Sequence, residues 1–214
     1  MENKNNKIGE EETLAEYALR LNAALLSVQQ SAVNKLYKEF SSRLDGSSSI
    51  YILGNGGSQA NASHIVGDYM KTFALAGFNL KINCLSDNIS YLTAASNDID
   101  YSDVYSVLVG TVISENDLIL YLSGSGNSIN LVKCAQRAKS QKITQASITA
   151  FNGGRLKEIV NISLHVDIPD MEIAEDCQIS IMHNLKQRLF NNFAKNKYEI
   201  TPKYSKRILE DVVV

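Results

Sequence analysis

The sequence predicts an α/β fold, a parallel sheet of five strands covered by helices on both faces and preceded by a helical extension. Three observations carry this. Runs rich in β-branched and aromatic residues recur at 49–53, 79–84, 117–122, 143–149 and 162–168. Stretches with helical spacing lie between them, near 58–75, 88–96, 101–113, 128–140 and 154–160, and a last long one lies near 174–194. Strand and helix in alternation imply βαβ crossovers, which make strands parallel and bury them on both sides. Both prolines, Pro169 and Pro202, fall outside the strand runs.

Taken in order, Leu14, Tyr17, Ala18, Leu21, Leu25 and Val28 fall at helical spacing, and Val33, Leu36 and Phe40 continue it to Asp45-Gly46, a helix stop. The stretch 13–44 carries more apolar residues than one docked surface helix needs, so part of that face is expected to pack on a partner subunit. The first strand run, Ser49-Ile50-Tyr51-Ile52-Leu53, leads into Gly54-Asn55-Gly56-Gly57-Ser58 and then a helix on which His64 and Asp68 stand four apart, on one face. A strand, a glycine turn and a helix start make an anion site, because glycines let backbone N–H groups approach and the helix dipole favours negative charge. The same chemistry recurs at Ser123-Gly124-Ser125-Gly126-Asn127-Ser128, after Leu118-Ile119-Leu120-Tyr121-Leu122. One such loop reads equally well as a tight turn; two at strand carboxyl ends, where an open parallel sheet gathers its ligands, point to a phosphorylated ligand. Neither loop holds Lys or Arg and no Walker lysine motif is present, so hydroxyls and amides would hold the anion. That composition suits a sugar phosphate and implies no nucleotide cofactor.

Composition bounds the rest. The chain has 214 residues with a net charge of −2, which leaves no electrostatic footprint for nucleic acid. Cys84, Cys134 and Cys177 lack paired spacing and read as small core hydrophobes of a reducing compartment. Neither a signal-peptide core nor a run of membrane-spanning length is visible, and a cytoplasmic location is expected. The expected organisation is a helical extension over 1–46, a sugar-phosphate domain over 47–195 and a tail over 196–214.

A second constellation suits a metal. His64 and Asp68 form a two-ligand face on one helix, and Glu175 and His183, eight apart, form a similar face on another. Two imidazoles and two carboxylates suit tetrahedral zinc. The plainer alternatives stand beside it: Glu175 and Asp176 as first-turn acids favoured by the helix dipole, His183 and His165 as structural histidines, and Asn97-Asp98 as a turn and cap.

The glycine–asparagine–glycine loop at 54–58, His64 with a carboxylate at 68, Ala95-Ser96-Asn97-Asp98, the serine loop at 123–128, Thr149 with Asn152-Gly153-Gly154, and His183 together resemble the sugar-isomerase (SIS) domain family, in particular its phosphoheptose isomerases. The resemblance implies a flavodoxin-like doubly wound sheet, a homotetramer with sites at subunit boundaries, and isomerisation of sedoheptulose 7-phosphate as the first step of heptose biosynthesis. It implies that Ser58, Ser123, Ser125 and Ser128 hold the phosphate, that Asn97, Asp98 and the Asn-Gly-Gly segment line the sugar, and that Asn55, Gly56, Gly57, Gly124 and Glu175 also bind the substrate. It further implies Asp68 and His183 as the acid/base pair and His64, Asp68, Glu175 and His183 as metal ligands. The chain departs from the family at Asp68 and Glu175, where the family has Glu and Gln, and at Gln178, where a second histidine is common. These departures keep two other readings open: a non-catalytic SIS module that binds a sugar phosphate or a protein, and an enzyme acting on another phosphosugar.

Overall fold

A computed structural model describes residues 12–194; the expected tail lies outside them. Helix α1 (Leu14–Leu26) starts at Thr13, whose hydroxyl accepts the Glu16 N–H while the Glu16 carboxylate accepts the Thr13 N–H. The helical spacing runs on past residue 26, but the helix does not. The Ser27 N–H is shared between the Ala23 and Ala24 carbonyls, the Ser27 hydroxyl donates to Ala24, and the Val28 N–H closes on Leu25. This tightening ends α1, and extended Gln29 opens α2 (Gln30–Ser41). Both helices still turn apolar faces inward, which is why the spacing alone did not mark the break.

The sheet comprises β1 (Ser49–Leu53), β2 (Lys81–Cys84), β3 (Leu118–Ser123), β4 (Thr144–Thr149) and β5 (Ile162–His165), parallel throughout, in the order β2-β1-β3-β4-β5. All five lie within the expected strand runs or one residue beyond them. Strand alternation divides the apolar residues between two cores. Ile50, Ile52, Leu118, Leu120 and Leu122 pack with α1, α2, α3 (Gly56–Leu75) and α7 (Met171–Leu189). Tyr51, Leu53, Ile119 and Tyr121 pack with α4 (Ile89–Asp98), α5 (Ile129–Ser140) and α6 (Gly154–Ile159). Covering both faces explains why the central strands read as continuous apolar runs.

The stretch 101–113, expected as a helix, is a series of turns with one 3-10 turn at Ser106–Leu108. The Ser102 N–H bonds to the Asp100 carboxylate, Gly110 adopts φ +89, and Val109 pairs with Ile113. Val104, Tyr105, Val109 and Ile113 are all buried, so packing against the sheet wins over the modest helix preference of the segment. Helix α7 begins three residues earlier than expected because the Asp170 side chain accepts the Ile173 N–H as a cap. No helix among the described residues is long and apolar enough to cross a membrane.

The strand order positions the site. From β1 the chain crosses outward to β2, then returns to place β3 on the other side of β1. The loops leaving β1 and β3 therefore diverge at adjacent strands, which opens a crevice at their carboxyl ends.

Candidate functional site

Both glycine–serine loops meet in that crevice. A cavity of about 300 Å³ is lined by Asn55, Gly56, Gly57 and Ser58 from the first loop and by Ser123, Gly124, Ser125 and Ser128 from the second. Met171 and Glu175, from the start of α7, complete the wall. Helix α3 begins inside this cavity at Gly56, whose φ of +54 is the left-handed conformation that glycine adopts freely. The second loop rests on the Asn-Gly-Gly segment. A methyl group on Gly126 (φ +65) would strike the Gly153 carbonyl, the Leu156 N–H donates to Gly126, and the Arg155 N–H donates to the Asn127 side chain. Asn152–Gly154 thus supports the second loop from behind and is not part of the cavity wall.

The hydroxyls are partly engaged. Ser58 accepts from the Gln178 amide at 3.1 Å, and Ser123 accepts the Gly126 N–H at 3.1 Å. Ser125 accepts the Asn127 N–H at 3.2 Å. Each hydroxyl keeps a proton to donate, so an arriving oxyanion costs none of these bonds. Asn55 ties the two loops together: its amide exchanges bonds of 2.9 Å with buried Asn130 and accepts from the Tyr101 hydroxyl at 2.8 Å. A second cavity of about 300 Å³ shares Asn55 and Gly56 and is lined further by Gln59, Ser86, Asp87, Tyr101 and Tyr105, residues not foreseen in the sequence. Asn97 and Asp98, expected beside the sugar, sit exposed at the end of α4, bonded to one another at 2.8 Å, and line neither cavity.

The structure gathers three of the four expected metal ligands. His64 Nε2 and His183 Nε2 are 3.1 Å apart, and Asp68 Oδ2 is 4.0 Å from His183 Nε2. The three donor atoms lie within 4.8 Å of one another. Tetrahedral zinc with ligands at about 2.0–2.2 Å holds its donors roughly 3.3–3.6 Å apart, so one ion fits the trio with only small side-chain shifts. The packing of α3 on α7 makes the cluster. The buried Tyr69 hydroxyl, next to Asp68, donates to the Met182 carbonyl, next to His183, at 2.7 Å.

Glu175 is not with them. Its carboxylate lies over Gly57, close enough that a methyl group there would collide with it, in the cavity that Ser58 also lines. Burial pushes its pKa up; the Ser58 amide opposes the shift, and Glu172 and Asp176 add to it. The geometry offers a physical reason for the departure, because a carboxylate is drawn to the amide-rich start of α3. Instead of Glu175, the side chain that reaches the trio is Lys186, whose ammonium pairs with Asp68. Lys186 stands three residues beyond His183, on the same side of α7, and that spacing was the available signal for it.

An open parallel sheet with two amide-and-hydroxyl loops at its switch point, and a His–Asp–His cluster on the paired helices beside them, defines an α/β domain of the doubly wound class. The SIS domain family model matches residues 15–150, and the chain belongs to that family. Among its relatives, a phosphoheptose isomerase of Helicobacter pylori is 30% identical over 151 residues, covering 71% of this chain and 79% of the relative. Another, from Burkholderia pseudomallei, is 29% identical over 168 residues, covering 78% and 85%. The structure of a phosphoheptose isomerase from Neisseria gonorrhoeae superposes with a TM-score of 0.74 at 22% identity, over 83% of this chain and 96% of that one. It shares the fold.

Proposed function

We propose that the protein is an aldose–ketose isomerase that converts sedoheptulose 7-phosphate to D-glycero-D-manno-heptose 7-phosphate. The observation that carries this reading is one assembly: a cavity of about 300 Å³ lined by backbone and serine hydroxyls at the start of α3, and an acid/base cluster further along the same helix. The names of its relatives supply the substrate.

The phosphate sits against Ser58, Ser123, Ser125 and Ser128, where the cavity lining holds no basic side chain among the described residues. The ketose and aldose interconvert through an enediol. A base takes the proton from C1, the C2 carbonyl oxygen gains a proton, and the enediol collapses as O1–H gives up its proton and C2 receives one. Asp68 takes and returns the carbon-bound proton, and His183 exchanges protons with the oxygens. The Lys186 ammonium fixes the Asp68 carboxylate on the side facing His183. His64, Asp68 and His183 would hold zinc, and the chemistry it supplies when bound is Lewis-acid polarisation of the carbonyl and its neighbouring hydroxyl. Asp68 is one methylene shorter than the family's Glu, and Lys186 is the feature of this chain that restores a fixed position to it.

The working form is a cytoplasmic homotetramer with sites at subunit boundaries. Leu19 and Leu26, seven residues apart on one face of α1, are 69% and 77% exposed, apolar surface that a neighbouring subunit would cover. The described parts of the helical extension (12–46) and of the domain (47–194) form one unit, since α1 and α2 share the core of α3 and α7. Asp68→Asn and His183→Ala should each abolish isomerisation while phosphosugar binding persists. Full activity in either variant removes that residue from the mechanism.

A further inference from the structure

The cavity that would receive the phosphate already contains an acidic group. Glu175 reaches in from the second turn of α7 and lays its carboxylate over Gly57, in the place a methyl group on that glycine would take. Ser58, in the first turn of α3, lines the same cavity, and its N–H opposes the burial-driven rise of the Glu175 pKa. First-turn amides have no partner within their own helix, and they are the donors a phosphate uses. Ser123, Ser125 and Ser128 line the same cavity, and among the described residues no Lys or Arg lines its wall to neutralise the acid. A phosphate seated at the start of α3 needs the Ser58 amide and meets the Glu175 oxygens at the same place.

We infer that Glu175 is a resident competitor for the phosphate: its carboxylate holds the start of α3 and must swing off before a phosphorylated ligand seats. The inference rests on the proposed function's placing of the phosphate against Ser58 and the second-loop serines. Glu175 then sets a threshold. A ligand bound through its phosphate alone must displace the acid unaided. A phosphosugar brings further contacts along the crevice and overcomes it. The residue therefore selects against free phosphate, which is abundant wherever phosphosugars are made and consumed.

The test is calorimetric titration of the full chain with inorganic phosphate, comparing wild type with Glu175→Gln, which keeps the size and removes the charge. The inference expects phosphate to bind at least about tenfold more tightly to the variant. Glu175→Ala should move in the same direction and covers the case in which the glutamine variant misfolds, with thermal melts checking both. Equal affinity in wild type and variants overturns the inference and leaves the phosphate site standing. Weaker binding in the variants also overturns it, because Glu175 would then help to hold the ligand. If none of the proteins binds phosphate or a phosphosugar, the phosphate site itself fails and the inference falls with it.

Discussion

Replacing Lys186 by Met should tighten zinc binding at the His64–Asp68–His183 cluster. The Met side chain keeps most of the apolar stem of Lys186 while removing its charge. In the native chain the ammonium pairs with Asp68, and the two side chains are only 20% and 18% exposed. A divalent ion entering the trio shares that carboxylate with the ammonium and is repelled by it. A divalent ion and a unit charge about 4 Å apart repel by about 8 kcal/mol at an effective dielectric near 20. Movement of the flexible lysine away from the ion relieves much of this, which leaves about 2 kcal/mol, or roughly a thirtyfold gain in zinc affinity on substitution. The metal-free variant should also melt at a lower temperature, since Asp68 loses its partner while remaining largely buried. Zinc should restore more stability to it than to wild type. Competition titration against a chromophoric chelator measures the affinity directly. Unchanged or weaker zinc binding in Lys186→Met would refute the reasoning, because it would mean that zinc does not use Asp68.

Removing the Ser123 and Ser125 hydroxyls together by Ser→Ala changes should weaken phosphosugar binding by about a hundredfold, at roughly 1.5 kcal/mol or more for each lost bond to a charged group; calorimetry reads it. Gly126→Ala should destabilise the fold by about 2–4 kcal/mol, since it forces alanine into a left-handed conformation against the Gly153 carbonyl, and a thermal melt checks it. Stability should fall in acid through Asp170, whose carboxyl is held below the ordinary 3.8 first by the Ile173 amide and then by Arg20. A depressed carboxylate contributes stability above its unfolded value and loses it as pH falls through the folded one, so this contribution fades below about pH 4. Asp170→Ala should cost about 1 kcal/mol at neutral pH and flatten that part of the acid profile, as followed by denaturant melts at stepped pH.

Much of the fold was legible because a strand buried on both faces leaves a strong local signature. Ser49–Leu53 was readable residue for residue, and so was the glycine loop that follows it. The two cavity loops could be placed together because both end adjacent strands of one parallel sheet. The segment 101–113 was not legible, since its apolar spacing fits a helix and only the Asp100 turn and Gly110 decide otherwise. At the cluster, His64, Asp68 and His183 were found from helical spacing and from the family pattern. Lys186 was missed because the pair it forms spans 118 residues and exists only through the packing of α3 on α7. Glu175 was grouped with the metal ligands because it shares a helix face with His183, whereas its carboxylate lies over Gly57 at the start of α3, about two turns away. Asn97 and Asp98 were placed by family pattern alone, and in the single chain nothing draws them toward the cavities.

The central claim, a phosphosugar isomerase with its base on α3, is tested most directly by incubating the purified protein with sedoheptulose 7-phosphate in deuterated water. Phosphorus and proton NMR can then follow both the product and solvent exchange at C1 and C2. Appearance of heptose 7-phosphate with solvent deuterium incorporated during the proton transfer, lost in Asp68→Asn, is the predicted result. Tight binding of the ketose with neither turnover nor exchange would contradict the account and mark the chain as a binding module.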